Sequence, residues 1–310
     1  MMSPGLGMML GRVVRMPVVA ARRYWNMPRR PPLLPVLILL VIATVAIFPN
    51  FIAPDDPYKT KLSARMMPPA WLDDGGKRER LELSSTSYLL GTDQLGRDVL
   101  SRLLHGARVS LTVGFFAVTV AGGIGLSVGL LSGYKGGWID AALMRLVDAV
   151  IAIPFLLIAL LFASALGPSE RNVIIVISAF VWTGYARVIR SEVLSLRERE
   201  YVVAAVAVGA STFRVLVKHV LPNVLPTFLV LITLQIGALI LAEAALSFLG
   251  AGVPPPTPAW GSMVAEGRNS SLTAWWLTLF PGMGILLVVL AFNLVGDWLR
   301  DVLDPRTRPA

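Results

Sequence analysis

The chain has 310 residues, 55% of them hydrophobic and 15% charged, with no cysteine and a formal net charge of +9. That apolar excess excludes an ordinary soluble domain of this size, and the missing thiols exclude disulfides and thiolate metal sites. The positive charge is gathered beside apolar runs, so it reports membrane topology and not a nucleic-acid footprint.

Hydrocarbon about 30 Å thick takes roughly 20 apolar residues per helical crossing. Six runs qualify: Leu34–Ile52, Ser110–Leu131, Ala142–Leu166, Val173–Val188, Val224–Phe248 and Trp276–Val295. Backbone in lipid must satisfy its own hydrogen bonds, which predicts helices throughout and an all-α polytopic membrane protein with six transmembrane helices. The fourth run is the weakest, being short and containing Trp182 and Thr183.

In chain order, residues 1–32 form a basic tail in which Arg12, Arg15, Arg22, Arg23, Arg29 and Arg30 have no acidic residue among them. Such a bias places the N-terminus in the cytoplasm. Residues 33–53 supply the first transmembrane helix, whose apolar stretch is longer than a signal h-region and is followed by no A-x-A-like site, hence an uncleaved anchor. An outer segment, 54–109, balances nine basic residues with eight carboxylates. Its Asp73–Lys77 reads as an exposed turn, and GTDQLGRDVLSRLLHGARVS as a loop leading into an amphipathic helix on the outer face. A five-helix core spans 110–298. It includes a cytoplasmic coupling loop, 189–223, and the stretch from Arg187 to Lys218 carries six basic residues. An even number of crossings returns the tail 299–310, with Arg300, Arg306 and Arg308, to the cytoplasm.

Within the second run, Gly125, Gly129 and Gly133 recur every four residues, a small-residue face on which another helix packs closely. Pro154 and Pro281 each remove a backbone bond and should bend their helices. Asp148, one turn from Arg145, forms an i, i+3 pair. Glu243 faces a pathway, a partner chain or interfacial water. Asp148, Trp182 and Glu243 are thus the candidates for a pathway or an interface. The loop from Gly250 to Gly261 contains Pro254, Pro255 and Pro256, a stiff polyproline stretch that with an exposed Trp260 suits docking of a soluble protein. Trp275 and Trp276 read as headgroup anchors. Two histidines are too few for a metal site. No phosphate loop, nucleophile elbow or HExxH helix occurs, so ATP hydrolysis, if transport is active, belongs to another chain.

The stretch Glu200–Asn223, EYVVAAVAVGASTFRVLVKHVLPN, reads as a helix–turn–helix between two spans. Tyr201, Ala204, Ala205 and Val208 share one helical face. Gly209 stops that helix; Ser211 caps a second, which Pro222 ends. Ala204, Ala205 and Gly209 have so little bulk that another protein could approach the backbone, which makes the stretch a docking knob.

This stretch resembles the "EAA" loop of the permease subunits of ABC importers, which fits a cleft in the ATP-hydrolysing subunit. GTDQLGRDVLSRLLHGARVSL (Gly91–Leu111), GYKGGWIDAALMRLVDAV (Gly133–Val150), LAEAALSFLGAGVPPPTPAWGSM (Leu241–Met263) and AFNLVGDWLRDVLDPR (Ala291–Arg306) resemble the second permease of the dipeptide/oligopeptide/nickel branch. The resemblance implies the type I importer permease fold in a bacterial or archaeal cytoplasmic membrane. It implies a related second permease, two ATPase subunits that bind ATP and magnesium, and an extracytoplasmic solute-binding protein. It assigns ATPase coupling to Glu200, Tyr201, Ala204, Ala205, Gly209, Ala210 and Ser211. Val203 departs from the pattern, standing where the family has its loop glutamate, unless Glu200 supplies that charge. Cargoes consistent with the branch are di- or oligopeptides, nickel complexes, opines or oligosaccharides. A different class, the ion-coupled secondary transporter, would require discontinuous helices with ion ligands at mid-membrane.

Overall fold

The computed structural model describes residues 31–84 and 87–303. The basic N-terminal tail up to Arg30, together with Arg306 and Arg308, therefore lies outside the described residues.

Helix α1 is Leu33–Ile47, and a single turn, α2, follows at Pro49–Ile52. The expected run to Ile52 is interrupted at Phe48 (φ −118°) because the residue before a proline is pushed out of the helical region. Thr44 still receives the Phe48 N–H at 3.0 Å. The outer segment adds a one-turn helix, α3 (Lys77–Arg80), begun by Asp74, whose carboxylate accepts the N–H groups of Gly76 and Arg78.

Helix α4 runs unbroken from Val99 to Lys135. Asp98 starts it, its carboxylate accepting the Ser101 N–H at 2.7 Å, and Gly136 at φ +65° stops it. The anticipated amphipathic outer helix is thus the first turns of α4 itself, since nothing between Val99 and Lys135 breaks a helix. At 1.5 Å per residue α4 is about 55 Å long, well beyond hydrocarbon thickness.

The third run does not bend at Pro154 but breaks. Helices α5 (Gly137–Ile151) and α6 (Phe155–Leu166) meet at 83°. Pro154 has no N–H to donate and holds Ile153 out of helical geometry. The fourth run is no weak span: α7 extends from Glu170 to Arg197, capped by Ser169. Trp182 and Thr183 cost little there because each polar atom is satisfied inside the helix, on the Ala179 carbonyl (2.9 Å) and the Phe180 carbonyl (2.8 Å).

Helix α8 is Glu200–Ala207 and α9 is Thr212–Val215. Pro222 does not end the second of these. Residues Leu216–Val220 widen into a π turn, in which Leu221 N–H reaches back to the Leu216 carbonyl, and α10 (Leu221–Phe248) continues with Pro222 in its first turn. Proline is accommodated there directly after the wider π turn, which shifts the backbone hydrogen-bond ladder ahead of it. Helix α11 is Trp260–Gly267, and α12 (Trp276–Leu303) stays continuous through Pro281. Among the described residues four helical stretches, 99–135, 170–197, 212–248 and 276–303, are long and apolar enough to cross a membrane; the bent pair α5–α6 makes a fifth if it is one span. Helix α1 falls short of that length.

Helices gain little from apolar burial when lipid surrounds them, so close packing must hold the bundle. The glycine face supplies it. A Cβ at Gly125 would lie 2.6 Å from the Trp182 carbonyl oxygen, one at Gly129 2.9 Å from that of Ala186, and one at Gly133 2.9 Å from that of Arg190. The four-residue spacing of α4 thus meets the four-residue spacing of the α7 backbone. Gly122 receives the Phe228 ring, bringing α10 onto the same seam, whereas Gly123 faces open space. A second core joins α1, α10, α11, α12 and the start of α4 around Ile240, Trp260, Trp276 and Val288.

Gly129→Val should destabilise the detergent-solubilised protein by about 3 kcal/mol, the upper end of what overpacking costs, because a Cβ there meets the branched Cβ of Ile189 at 2.7 Å as well as the Ala186 carbonyl oxygen. Gly123→Ala should be neutral. Tryptophan-fluorescence thermal unfolding of the two variants measures the contrast.

Candidate functional site

Long helices α4, α7, α10 and α12 give the bundle two ends, one bearing Gly209 and the other Trp260. At the Gly209 end, α8 is anchored by Val202, fully buried, and by Ala205 packed on the core. The face shared by Tyr201, Ala204 and Val208 is left open instead of buried, with Val208 85% exposed. Gly209 adopts φ +83° and a Cβ there would touch nothing within 4 Å. The glycine is therefore required by the turn and not by packing within the chain. Beyond it, Ser211 Oγ accepts the Arg214 N–H and starts α9. Phe213, 76% exposed, lies four residues after Gly209 as Val208 lies just before it, so exposed apolar side chains flank the turn in sequence. Val203 and Val206 add to the same exposed surface, and Glu200 is exposed at the start of α8.

This projecting unit is wired into the bundle on both sides. Helix α8 follows α7 across a turn closed by Arg199 N–H on the Leu196 carbonyl, and α9 passes straight into α10. Around its root lies a set of polar ties that the sequence reading missed. Arg190 forks onto both oxygens of Asp140 at 2.5 and 2.6 Å, and Asp140 also takes the Ser132 hydroxyl. Arg197 donates to the Gly133 carbonyl at 3.1 Å, and Thr227 to Glu192 at 3.0 Å. Together these link α4, α5, α7 and α10. Forked guanidinium–carboxylate pairs are both strong and directional. Asp148 belongs to this group: Arg187 of α7 pairs with it at 2.6 Å, so the expected partner Arg145, on its own helix, is displaced by one across the bundle.

Toward the Trp260 end, Glu243 is fully buried between α10 and α4, accepting the hydroxyls of Ser247 (2.6 Å) and Ser110 (3.0 Å). Contact with interfacial water is thereby ruled out, as is exposure on a pathway in this conformation. Trp182 likewise lies in the core, 8% exposed and backed onto Gly125. Trp260 is the clearest reversal. It is 3% exposed, its indole donates to the Leu103 carbonyl at 2.9 Å, and its ring fits between Gly106 and Gly284. A tryptophan is well buried where its N–H finds an acceptor and its ring meets glycine. The loop before it turns at Pro255–Pro256, whose peptide is cis, instead of running as an extended polyproline rod; both prolines are exposed. Trp276 is no headgroup anchor either: it is buried and donates to the Thr92 carbonyl at 3.2 Å, while Trp275 remains partly exposed.

An ion cluster pins the segment before α4 to α11. Arg97 bonds Asp93 at 2.6 Å and Glu266 at 3.0 Å, and Arg102, 1% exposed, bonds Glu266 at 2.9 Å. Asp98 beside it is pushed up from the usual carboxylate range by burial, against the two hydrogen bonds it accepts from Ser101. The charged residues of GTDQLGRDVLSR were legible as a motif, but their partner Glu266 lies more than 160 residues on.

Known proteins are similar in sequence to this chain over most of its length. The family model described as "Binding-protein-dependent transport system inner membrane component" matches residues 125–309. The chain is 40% identical over 279 residues to the dipeptide transport system permease protein DppC of Haemophilus influenzae, covering 90% of this chain and 92% of that one. It is 42% identical over 274 residues to the di/tripeptide transport system permease protein DppC of Pseudomonas aeruginosa, covering 88% of each. Against the probable D,D-dipeptide transport system permease protein DdpC of Escherichia coli it is 40% identical over 270 residues, covering 87% and 86%.

Glu266→Ala would leave the two guanidinium groups of Arg97 and Arg102 against Asp93 alone. Breaking a buried charge cluster from one side costs on the order of 3 kcal/mol, so the melting temperature of the purified protein should fall clearly. Glu82→Ala, on the surface of the same segment, should leave it unchanged.

Proposed function

This chain belongs to the family of binding-protein-dependent transport system inner membrane components, and from that premise we propose that it is one permease of an ATP-driven peptide importer. It pairs with a related permease to form the pathway, six helices on this side of the pair, with both termini in the cytoplasm of a bacterial inner membrane. Two ATPase subunits, which hold ATP and magnesium, dock on the Gly209 end, and a solute-binding protein delivers cargo to the Trp260 end. Basic residues support the orientation: Arg187, Arg190, Arg197, Arg199, Arg214 and Lys218 gather at or near the Gly209 end, as cytoplasmic loops do. Peptide as cargo is supported by the names of the relatives, which are dipeptide and di/tripeptide permeases.

One observation carries the coupling role. The unit Glu200–Ser211 exposes Tyr201, Ala204, Val208 and Gly209 and is joined without slack to both α7 and α10. Closure of the ATPases presses on that unit, and α7 and α10 tilt as a body because the ties at Asp140, Arg190 and Glu192 hold its root. The pathway changes its open side only if the unit makes different contacts in the two ATPase states. Val203 makes the contact apolar, with Val206, Val208 and Phe213 exposed as well. The break between α5 and α6 is the kind of discontinuity an ion-coupled transporter uses; its nearby carboxylate, Asp148, is already neutralised by Arg187, which favours the ATP-driven reading.

Gly209→Val forces a β-branched side chain to positive φ and adds bulk to the docking face. Uptake of a labelled dipeptide by the reconstituted assembly should fall at least ten-fold, with membrane insertion and expression unchanged. Uptake at the normal rate in that variant removes the coupling role.

A further inference from the structure

At the Trp260 end, a cleft of about 700 Å³ opens between the segment after α2, the start of α4 and the loop before α11. Its volume lies within the range of small-molecule sites, roughly 300–1,000 Å³. Its lining carries both signs of charge: Asp55 and Asp56 come from the segment, Arg108 from α4, with Tyr58, His105 and Thr257 between them. The walls are fixed to each other, since the Asp55 N–H donates to Ser101 Oγ of α4 at 3.0 Å.

What the charged groups already do limits what they can still do. One oxygen of Asp55 accepts the Asp56 N–H (2.9 Å) and faces Lys59 at 3.5 Å; one oxygen of Asp56 accepts the Tyr58 N–H (2.8 Å). Among the described residues no donor meets the second oxygen of either carboxylate. The His105 ring is committed on both nitrogens, to the Ser101 carbonyl at 2.8 Å and the Asn50 side chain at 2.9 Å, so it serves as wall. Arg108 is exposed and has no hydrogen bond or ion pair among the described residues, although the charge of Glu170 reaches it. The cleft thus offers two unfilled acceptor positions and one unfilled guanidinium.

We propose that this cleft is a reception site for a short zwitterionic peptide, resting on the peptide reading above. The peptide ammonium lies against Asp55 and Asp56, and its terminal carboxylate is forked by Arg108, the geometry in which a guanidinium binds carboxylates best. Recognition by the two ends leaves the side chains unread, so the site accepts many sequences of one length class.

The test uses the assembled permease pair with its ATPases in nanodiscs, without the solute-binding protein, and titrations followed by saturation-transfer NMR. The probes are alanyl-alanine, its N-acetyl derivative and its C-terminal amide. Wild type should bind the free dipeptide more tightly than either blocked form. Arg108→Gln should raise Kd for alanyl-alanine about ten-fold and leave that of the amide unchanged, while Arg108→Lys restores part of the loss. Asp56→Asn, which keeps the oxygen that accepts the Tyr58 N–H, should raise Kd for alanyl-alanine and spare the N-acetyl form. Equal losses for free and blocked peptides in these variants overturn the proposal, as does wild type that binds all three alike or none. Uptake of alanyl-alanine by wild type with its solute-binding protein is measured separately. Its absence defeats the peptide reading itself, whereas uptake without the variant-by-probe pattern defeats only the cleft.

Discussion

Contact between the backbones of α4 and α7 is the constraint on which the remainder of the bundle rests. Surrounded by lipid, two helices gain little by hiding apolar side chains from tails that are equally apolar. They gain by proximity, and proximity requires that one of them lack side chains at the seam. Gly125, Gly129 and Gly133 meet that requirement along two turns, and Gly122 extends it to Phe228 of α10. The seam also sets where the ends of the bundle fall. It aligns Gly133 with Arg197 and Ser132 with Asp140 at one end, and at the other it presents Ser110 to Glu243.

The two ends are then finished by opposite means. Near Trp260 the chain closes on itself: an ion cluster, a buried indole and a buried glutamate tie four separate segments together, and little apolar surface in the cluster remains open. At Gly209 the ties lie below the projecting unit and the unit itself is bare. Valine and phenylalanine there are exposed on a turn whose conformation only glycine adopts easily. A surface of that kind is stable in a membrane protein when another chain covers it. A rigid root under an uncovered apolar tip is what a lever needs, since compliance at the root would dissipate the displacement before it reached α7 and α10.

Local sequence signals located the glycine face, four of the long apolar helices and the cap at Ser211, because period, small-residue spacing and capping act within a few residues of where they are read. The same signals erred at prolines. Pro154 broke its helix and Pro49 cut short the first one, while Pro281 and Pro222 were absorbed. Pro222 follows the π turn and Pro281 sits inside an unbroken α12, whereas Pro154 separates two helices that diverge by 83°. Trp260 and Trp276 were misassigned to an interface because an amphipathic ring suits water, headgroup or core equally; the acceptors that drew them inward, Leu103 and Thr92, lie more than 150 residues away in sequence.

Composition and pattern by themselves determined that this is a helical membrane protein, that four of its apolar runs lie in helices long enough to cross, and that one small-residue turn lies between two long helices. Those properties follow from the bilayer's thickness and from bonds made within one turn of helix. Only the tertiary structure decided who pairs with whom: Asp148 with Arg187 and not Arg145, Arg102 with Glu266, Glu243 with two serines on different helices. Charges and hydroxyls in a low-dielectric interior are settled by whichever partner packing brings within about 3 Å, and that selection depends on distances between helices which no single helix encodes.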